Sequence, residues 1–358
     1  MTHCSASRVE ALIVAVPETA GSALYGMVDV LAASGSIWHQ LVDREPGTRP
    51  IRPSVVSPTR RPFTCGNGIP VVPDAGVDED PDGDLIIIPE LWLAPDDAMR
   101  ERYPELLAWI RTRYTLGRYL YSACSGSVML AATGLLKGRE ATSHWGYADL
   151  FRTHYPDVRF RPEPNLVFAD PSGRIVTAGG TTSWHDLALH IISRHCSPGE
   201  ALRIAKVYLL KWHSEGQLPY TSLIRRQPHA DSAVRFCETW LAQHFHEARP
   251  VAGVVAASGL PERSLKRRFK TATGMSLIDY LQNLRIEEAK RLLETTALPV
   301  DEIADEVGYE NASFFRRLFR QRTGLAPGQY RRMFAPLLQT GGASLPAADA
   351  PAPMLQMD

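Results

Sequence analysis

Cysteine is scarce in this chain and unpatterned. Cys4, Cys65, Cys124, Cys196 and Cys237 are the five, and no two form a CxxC pair. An odd, scattered set disfavours a disulfide framework and a zinc site, and fits a reducing cytoplasm. Long apolar runs are missing too: none approaches the roughly 20 residues of a membrane span. The opening stretch MTHCSASRVEALIVAV lacks the length and cleavage site of a signal peptide, so a cytoplasmic location is expected. Net charge is also absent. Lys plus Arg and Asp plus Glu are 39 each, so any attraction for nucleic acid must be local.

What is present is a chain of 358 residues, 44% apolar, long enough for two or three domains. Its first half alternates two periodicities. Strands are expected at Val9–Val16, Asp84–Pro89, Arg118–Ala123 and Arg174–Ala178. Helices are expected at Gly21–Ser34, Asp96–Tyr114, from Gly126 to about Thr133, and at Thr181–His195. This alternation implies a parallel α/β sheet covered on both faces. One more amphipathic helix is expected over Gly199–Trp212. Residues 213–230 are polar and turn-rich and read as a linker. Beyond them short helical patterns dominate and strand patterns vanish. The expected division is therefore an extension at 1–7, an α/β domain at 8–212, an all-α domain at 231–338 and a disordered Ala/Pro/Gly-rich tail at 339–358.

The helical half contains an internal repeat. VAGVVAASGLPERSLKRRFKTATGMSLIDY (251–280) aligns with VDEIADEVGYENASFFRRLFRQRTGLAPGQY (300–330). Gly259 matches Gly308; after a one-residue insertion Arg267 matches Arg317, Phe269 matches Phe319 and Gly274 matches Gly324. Each unit is a short helix, a Gly-containing turn and a second helix, the helix-turn-helix plan. Leu265 with Phe269, and Phe315 with Phe319, are four apart and face inward. The opposite faces carry Arg263, Lys266, Arg267 and Lys270 in one unit, and Arg316, Arg317 and Arg320 in the other. Taken singly, a basic face is equally a solvated surface. Two in duplicated frames point to double-stranded DNA.

Residues from about 231 to 336 resemble the AraC/XylS family of DNA-binding domains. IADEVGY followed by SFFRRLFRQRTGLAPGQYRR follows the family signature closely, and Ser276–Leu293 would be the helix joining the two units. The resemblance implies two recognition helices in successive major grooves, one helical turn apart. Carried over by position, the base readers would be Arg263, Lys266 and Arg267, then Asn311, Ser313, Arg316 and Arg317. Arg267 and Arg317 have a second reading as structural or phosphate-facing residues. Val255 departs from the usual Ala, which the second unit keeps at Ala304.

In the first half the stretch YSACSGSV (121–128) places Cys124 on a sharp strand-to-helix turn among small residues. Such a turn exposes a sulfur, and a helix N-terminus favours thiolate. About twenty residues on, ATSHW supplies His144 as a base or orienting partner for nucleophilic catalysis. Cysteine is also a common buried filler. His185, His190 and His195, spaced by five, do not share one helix face, so no metal site is expected.

The longer string SACSGSVMLAATGLLKGREATSHW resembles the PfpI-like branch of the class I glutamine amidotransferase-like superfamily, over about residues 8–195. It implies a flavodoxin-like sheet sandwich and an elbow cysteine, with no cofactor. Two departures count against hydrolysis. Ala23 stands where many members place Glu, with Glu18 out of register, and PELW replaces the Gly-Gly turn that helps form an oxyanion hole. Glu90 would raise the thiol pKa and welcome a cation. Trp92 and Trp145 either flank an ammonium group or are core residues.

The fusion resembles the GlxA-like group of bacterial transcriptional regulators. It implies a sequence-specific regulator whose first domain senses a metabolite and oligomerises. In the wider group effectors include amino acids and quaternary amines. The expected ligand residues are Glu90, Cys124, Ser125, His144 and Trp145, at the C-terminal edge of the sheet. The expected partners are operator DNA, an effector, a second copy of the chain and RNA polymerase. Cys124 and His144 remain the vestigial catalytic pair. A cysteine hydrolase or hydratase, or a thiol redox sensor, is the alternative.

Overall fold

Strand β1 (Val9–Val14) is apolar at nearly every position because both of its faces are covered. Ala11 and Ile13 point into one core, and Leu12 and Val14 into a second on the opposite face. The computed structural model that carries these observations describes residues 8–224 and 229–339. The expected extension at 1–7, part of the expected linker and the expected tail from 340 lie outside the described residues. The chain divides into two units, Met1–Leu218 and Pro219–Asp358.

In the first unit β1 is followed by α1 (Gly21–Ala33), β2 (Ile51–Ser57), a hairpin of β3 (Phe63–Cys65) and β4 (Ile69–Val71), and β5 (Ala75–Gly76). Next come β6 (Leu85–Ile88), α2 (Pro104–Thr115), β7 (Tyr119–Ala123) and α3 (Gly126–Ala132). A small pair, β8 (Glu140–Ala141) and β9 (Arg159–Phe160), brackets α4 (Ala148–His154). The unit continues through β10 (Leu166–Phe168), β11 (Ile175–Ala178), α5 (Trp184–His195) and α6 (Pro198–Val207). Seven strands form one sheet in the order β10-β11-β7-β6-β1-β2-β5, parallel except for the antiparallel β10. Leu24, Met27, Leu187, Ile191 and Ile204 cover one face; Leu106, Ile110, Met129 and Phe151 cover the other.

The sequence misjudged two helices. The helix expected from Asp96 begins at Pro104, because Met99 and Tyr103 adopt left-handed backbone (φ 53° and 54°). Proline then serves at the first helical turn, where its missing N–H costs nothing. The helix expected to reach Trp212 stops at Val207, ahead of Leu209 at φ 55°. Strand β2 was unforeseen. It holds Pro53, yet beyond β1 its neighbour β5 pairs only with Val56 and Ser57, so Pro53 sits on an effective edge. His190 and His195 both pack against the ring of Tyr121.

The second unit is helical: α7 (Ser232–His244), α8 (Pro250–Ser258), α9 (Glu262–Thr273), α10 (Leu277–Thr295), α11 (Val300–Glu306), α12 (Ala312–Thr323) and α13 (Pro327–Gln339). It has two cores. Leu241, Val254, Leu265 and Phe269 form one; Ile303, Val307, Phe315 and Phe319 form the other. Helix α10 serves both, giving Leu277 and Leu281 to the first and Ile286 and Leu293 to the second. Both second helices of the repeat end on a left-handed glycine, Gly274 and Gly324.

Two residues of the expected linker are built into the first unit. His213 bonds the buried Asp186 through its backbone N–H and its ring. Gln217 is 3% exposed, and its side-chain amide donates to Thr142 Oγ1, Ser143 O and Pro164 O at 3.0–3.2 Å. Its Oε1 accepts from the N–H of Trp145.

Candidate functional site

The thiol turn forms where β7 stops. Cys124 takes φ +52°, strained for a residue with a Cβ, and its N–H is held by Ala178 O at the end of β11. The chain then enters α3 against the end of β6. A Cβ on Gly126 would lie 2.4 Å from both Ile88 O and Pro89 O, so only glycine permits this approach.

The turn buries its sulfur where the sequence reading had it exposed. Cys124 is 2% exposed. Its Sγ lies 3.6 Å from Glu90 Oε1 and 4.0 Å from Thr181 Oγ1, and Thr181 donates to the same Glu90 oxygen at 3.0 Å. Burial, reinforced by the Glu90 charge, pushes the thiol up to about 12. The expectation that the helix N-terminus favours thiolate is therefore overturned: desolvation and a neighbouring carboxylate outweigh a seven-residue helix. Glu90 is itself raised by burial, which its bonds from Thr181 and Cys124 partly offset.

The PELW segment is pinned as a wall. Ala20 N–H donates to Glu90 O and Trp92 N–H to Glu18 O. Ser125, fully buried, accepts from Leu91 N–H at 2.8 Å and donates back to Leu91 O. The Leu91 N–H, at the position where enzymes of the resembled family aim an oxyanion donor, is thus consumed internally. Ser125 was expected to meet ligand; its hydroxyl holds the wall instead. Glu18 is engaged with Arg102 and Tyr103, at 2.7 Å each, and Ala23 is fully buried.

His144 begins a short turn. Its Nδ1 accepts from Gly146 N–H at 2.9 Å, which leaves the neutral ring with its proton on Nε2, a donor and not a base. The ring leans on Trp145, with centroids 4.8 Å apart, and its edge lies over Gly180, the neighbour of Thr181. Trp92 is half exposed and lies over Gly66. The residue the sequence reading missed is Thr181, 91 positions from Glu90 in the chain. The only available signal was its place after the Gly179–Gly180 pair that follows β11. Tyr147, whose hydroxyl donates to Leu93 O at 3.0 Å, is a second. Its phenol is raised first by burial and next by Cys124, with a smaller contribution from Glu90. Among the described residues no group of three His, Cys, Asp or Glu side chains is placed to hold a metal ion.

The second candidate site is the outer face of α9 and α12. Leu265, Phe269, Phe315 and Phe319 are fully buried, which turns Arg263, Lys266, Arg267, Ser313, Arg316 and Arg317 to solvent. Three of the expected base readers have work within the unit. Lys266 pairs with Glu262 at 2.5 Å, Arg316 pairs with Asp301, and Asn311 caps α12 by accepting from Phe314 N–H at 2.9 Å. Among the described residues no ion pair holds Arg263, Arg267 or Arg317. Arg268, on the flank, grips the Asp231 carboxylate through two bonds of 2.9 Å.

Residues 28–194 match the DJ-1/PfpI family and residues 254–333 match a helix-turn-helix domain. The chain is 28% identical over 298 residues to the HTH-type transcriptional regulator CdhR of Pseudomonas aeruginosa, covering 83% of this chain and 85% of that one. It is 26% identical to the HTH-type transcriptional regulator GlxA of Rhizobium meliloti over 62% of this chain and 68% of that one. An isonitrile hydratase of Pseudomonas putida is 34% identical over 128 residues, 36% of this chain and 52% of the enzyme. With two domains of these kinds in this order, the chain belongs to the AraC-type transcriptional regulators that carry a DJ-1/PfpI domain ahead of the DNA-binding one.

Proposed function

We propose that the DJ-1/PfpI domain is a non-catalytic sensor of a small metabolite and sets the affinity of the helix-turn-helix domain for operator DNA. The observation that carries this reading is the Glu90–Cys124–Thr181 cluster. It keeps the thiol neutral and stands a carboxylate at the C-terminal edge of a parallel sheet, where open α/β sheets take ligands. Thr181 is exposed at its rim. A carboxylate acceptor flanked by a hydroxyl suits a cationic effector, an amine or an amino acid, with His144 Nε2–H and Trp145 beside it. Arg263, Arg267 and Arg317 are the base readers, and Lys266, Arg316, Asn311 and Ser313 support them. The regulator works in the cytoplasm as a homodimer and meets RNA polymerase at its operator. The region 213–230 joins its two domains.

Binding must favour one state of the protein over another, or nothing is transmitted. The test is a thermal-shift screen of amines and amino acids on the full chain, with operator binding measured alongside. A ligand that raises the melting temperature and changes operator affinity supports the reading. If no ligand of any class alters either, it fails.

The partial likeness to a hydratase favours a second reading, a cysteine enzyme. A thiol raised to about 12 and an internally consumed Leu91 N–H oppose it. Turnover lost in a Cys124→Ala variant with regulation intact would establish the enzyme. Peroxide-dependent DNA binding lost in the same variant would establish a redox switch instead.

A further inference from the structure

The two outer helices share a register, and at one position the second presents an exposed apolar ring where the first has a small polar side chain. Leu265 corresponds to Phe315 and Phe269 to Phe319, all fully buried. Arg263 therefore stands where Ser313 does, Ser264 where Phe314 does, and Arg267 where Arg317 does. Ser264 is a small, half-buried hydroxyl. Phe314 is an aromatic ring 40% exposed on a helix whose outer face is otherwise polar and basic.

Helical geometry places it on the working face. At about 100° per residue, Ser313, Phe314, Arg317 and Arg320 fall within one arc of about 120°. Asn311 caps the Phe314 N–H, so the ring projects from the first turn of α12. That is the end of a recognition helix that contacts base edges. One side of the ring is braced against the buried Tyr309, with centroids 5.9 Å apart. The brace limits the conformations the ring must give up on binding.

A phenyl ring has nothing to offer a phosphate or a hydrogen-bonding base edge. The apolar feature of the major groove is the C5-methyl of thymine. We propose that Phe314 is a specificity-determining residue that reads a thymine methyl, beside the base taken by Arg317. The first unit offers Arg263 and Arg267, four apart, and selects by hydrogen bonding alone. The two operator segments then differ in kind: the α9 segment is guanine-rich, and the α12 segment requires a thymine at one position. This rests on the reading of these helices as the base-contacting faces.

The test uses the full chain. Binding sites are first selected from randomised duplex DNA. Each thymine of the α12 segment is then replaced, one at a time, by deoxyuridine, which lacks only the methyl group. One replacement should weaken binding about fourfold, the factor that burying one methyl supplies. Phe314→Ala should abolish that sensitivity, and Phe314→Leu should keep part of it at an unchanged melting temperature. The proposal is overturned if no thymine is selected in that segment. It is equally overturned if the deoxyuridine penalty is the same in wild type and Phe314→Ala. If Arg317→Ala and Phe314→Ala both leave site selection unchanged, the base-contacting reading of α12 fails; if only Phe314→Ala does, this inference fails alone.

Discussion

The protonation state of Cys124 can be measured directly, and the structure sets what should be found. A free cysteine titrates near ~8.5, so about a quarter of it is thiolate at pH 8. A thiol raised to about 12 is thiolate in roughly one molecule in ten thousand at that pH. Alkylation proceeds through thiolate, so the rate at Cys124 should lie some thousandfold below that of an exposed cysteine. Burial slows access as well, so the pH profile discriminates better than the absolute rate. Iodoacetamide labelling, followed by peptide mass spectrometry at Cys124, should still rise about tenfold per pH unit at pH 10. Glu90→Gln removes the carboxylate 3.6 Å away but leaves burial, the larger cause, in place. Its profile should move to lower pH, giving faster labelling at fixed pH. The linkage has a definite sign. A thiol raised on folding adds stability below ~8.5 that is lost as pH climbs towards about 12, so Cys124→Ala should flatten the alkaline fall in stability. A wild-type labelling midpoint at or below 8.5, or a Glu90→Gln profile that does not move, would refute the argument.

Three further outcomes follow from the geometry. Arg317→Ala should weaken specific operator binding by about 1–3 kcal/mol and relax preference at one base position, as a selected-site binding assay would register; unchanged affinity and preference would remove it from the readers. Gly126→Ala drives a methyl against two carbonyl oxygens of the β6 end, and thermal denaturation should register a loss of about 1–3 kcal/mol or more. Gln217→Ala strips a buried amide from Thr142, Ser143, Pro164 and Trp145. Urea unfolding should lose about 1–3 kcal/mol, and an unchanged midpoint would mean that water replaces the amide.

The duplication in the second half, its inward Leu and Phe positions and its basic faces were legible because helical periodicity is local. Residues three and four apart lie on one face whatever the rest of the chain does. The Val- and Ile-rich strands and the small-Cys-small turn were legible for the same reason; Ala23 and PELW stood out as departures only against the family the chain resembles. The late start of α2 and the early stop of α6 were not legible, because left-handed residues such as Tyr103 and Leu209 carry no glycine to announce them. Only the tertiary structure brings Thr181 from beyond β11 to Glu90 beyond β6, closes Ser125 onto Leu91, and draws Gln217 out of an apparent linker into a buried site. It likewise decides that Cys124 is a neutral thiol, since desolvation sums over every neighbour the fold supplies. A sequence pattern records which side chains share a face; it does not record which distant groups complete one another's hydrogen bonds when the sheet edge closes, and that closure sets the chemistry of the site.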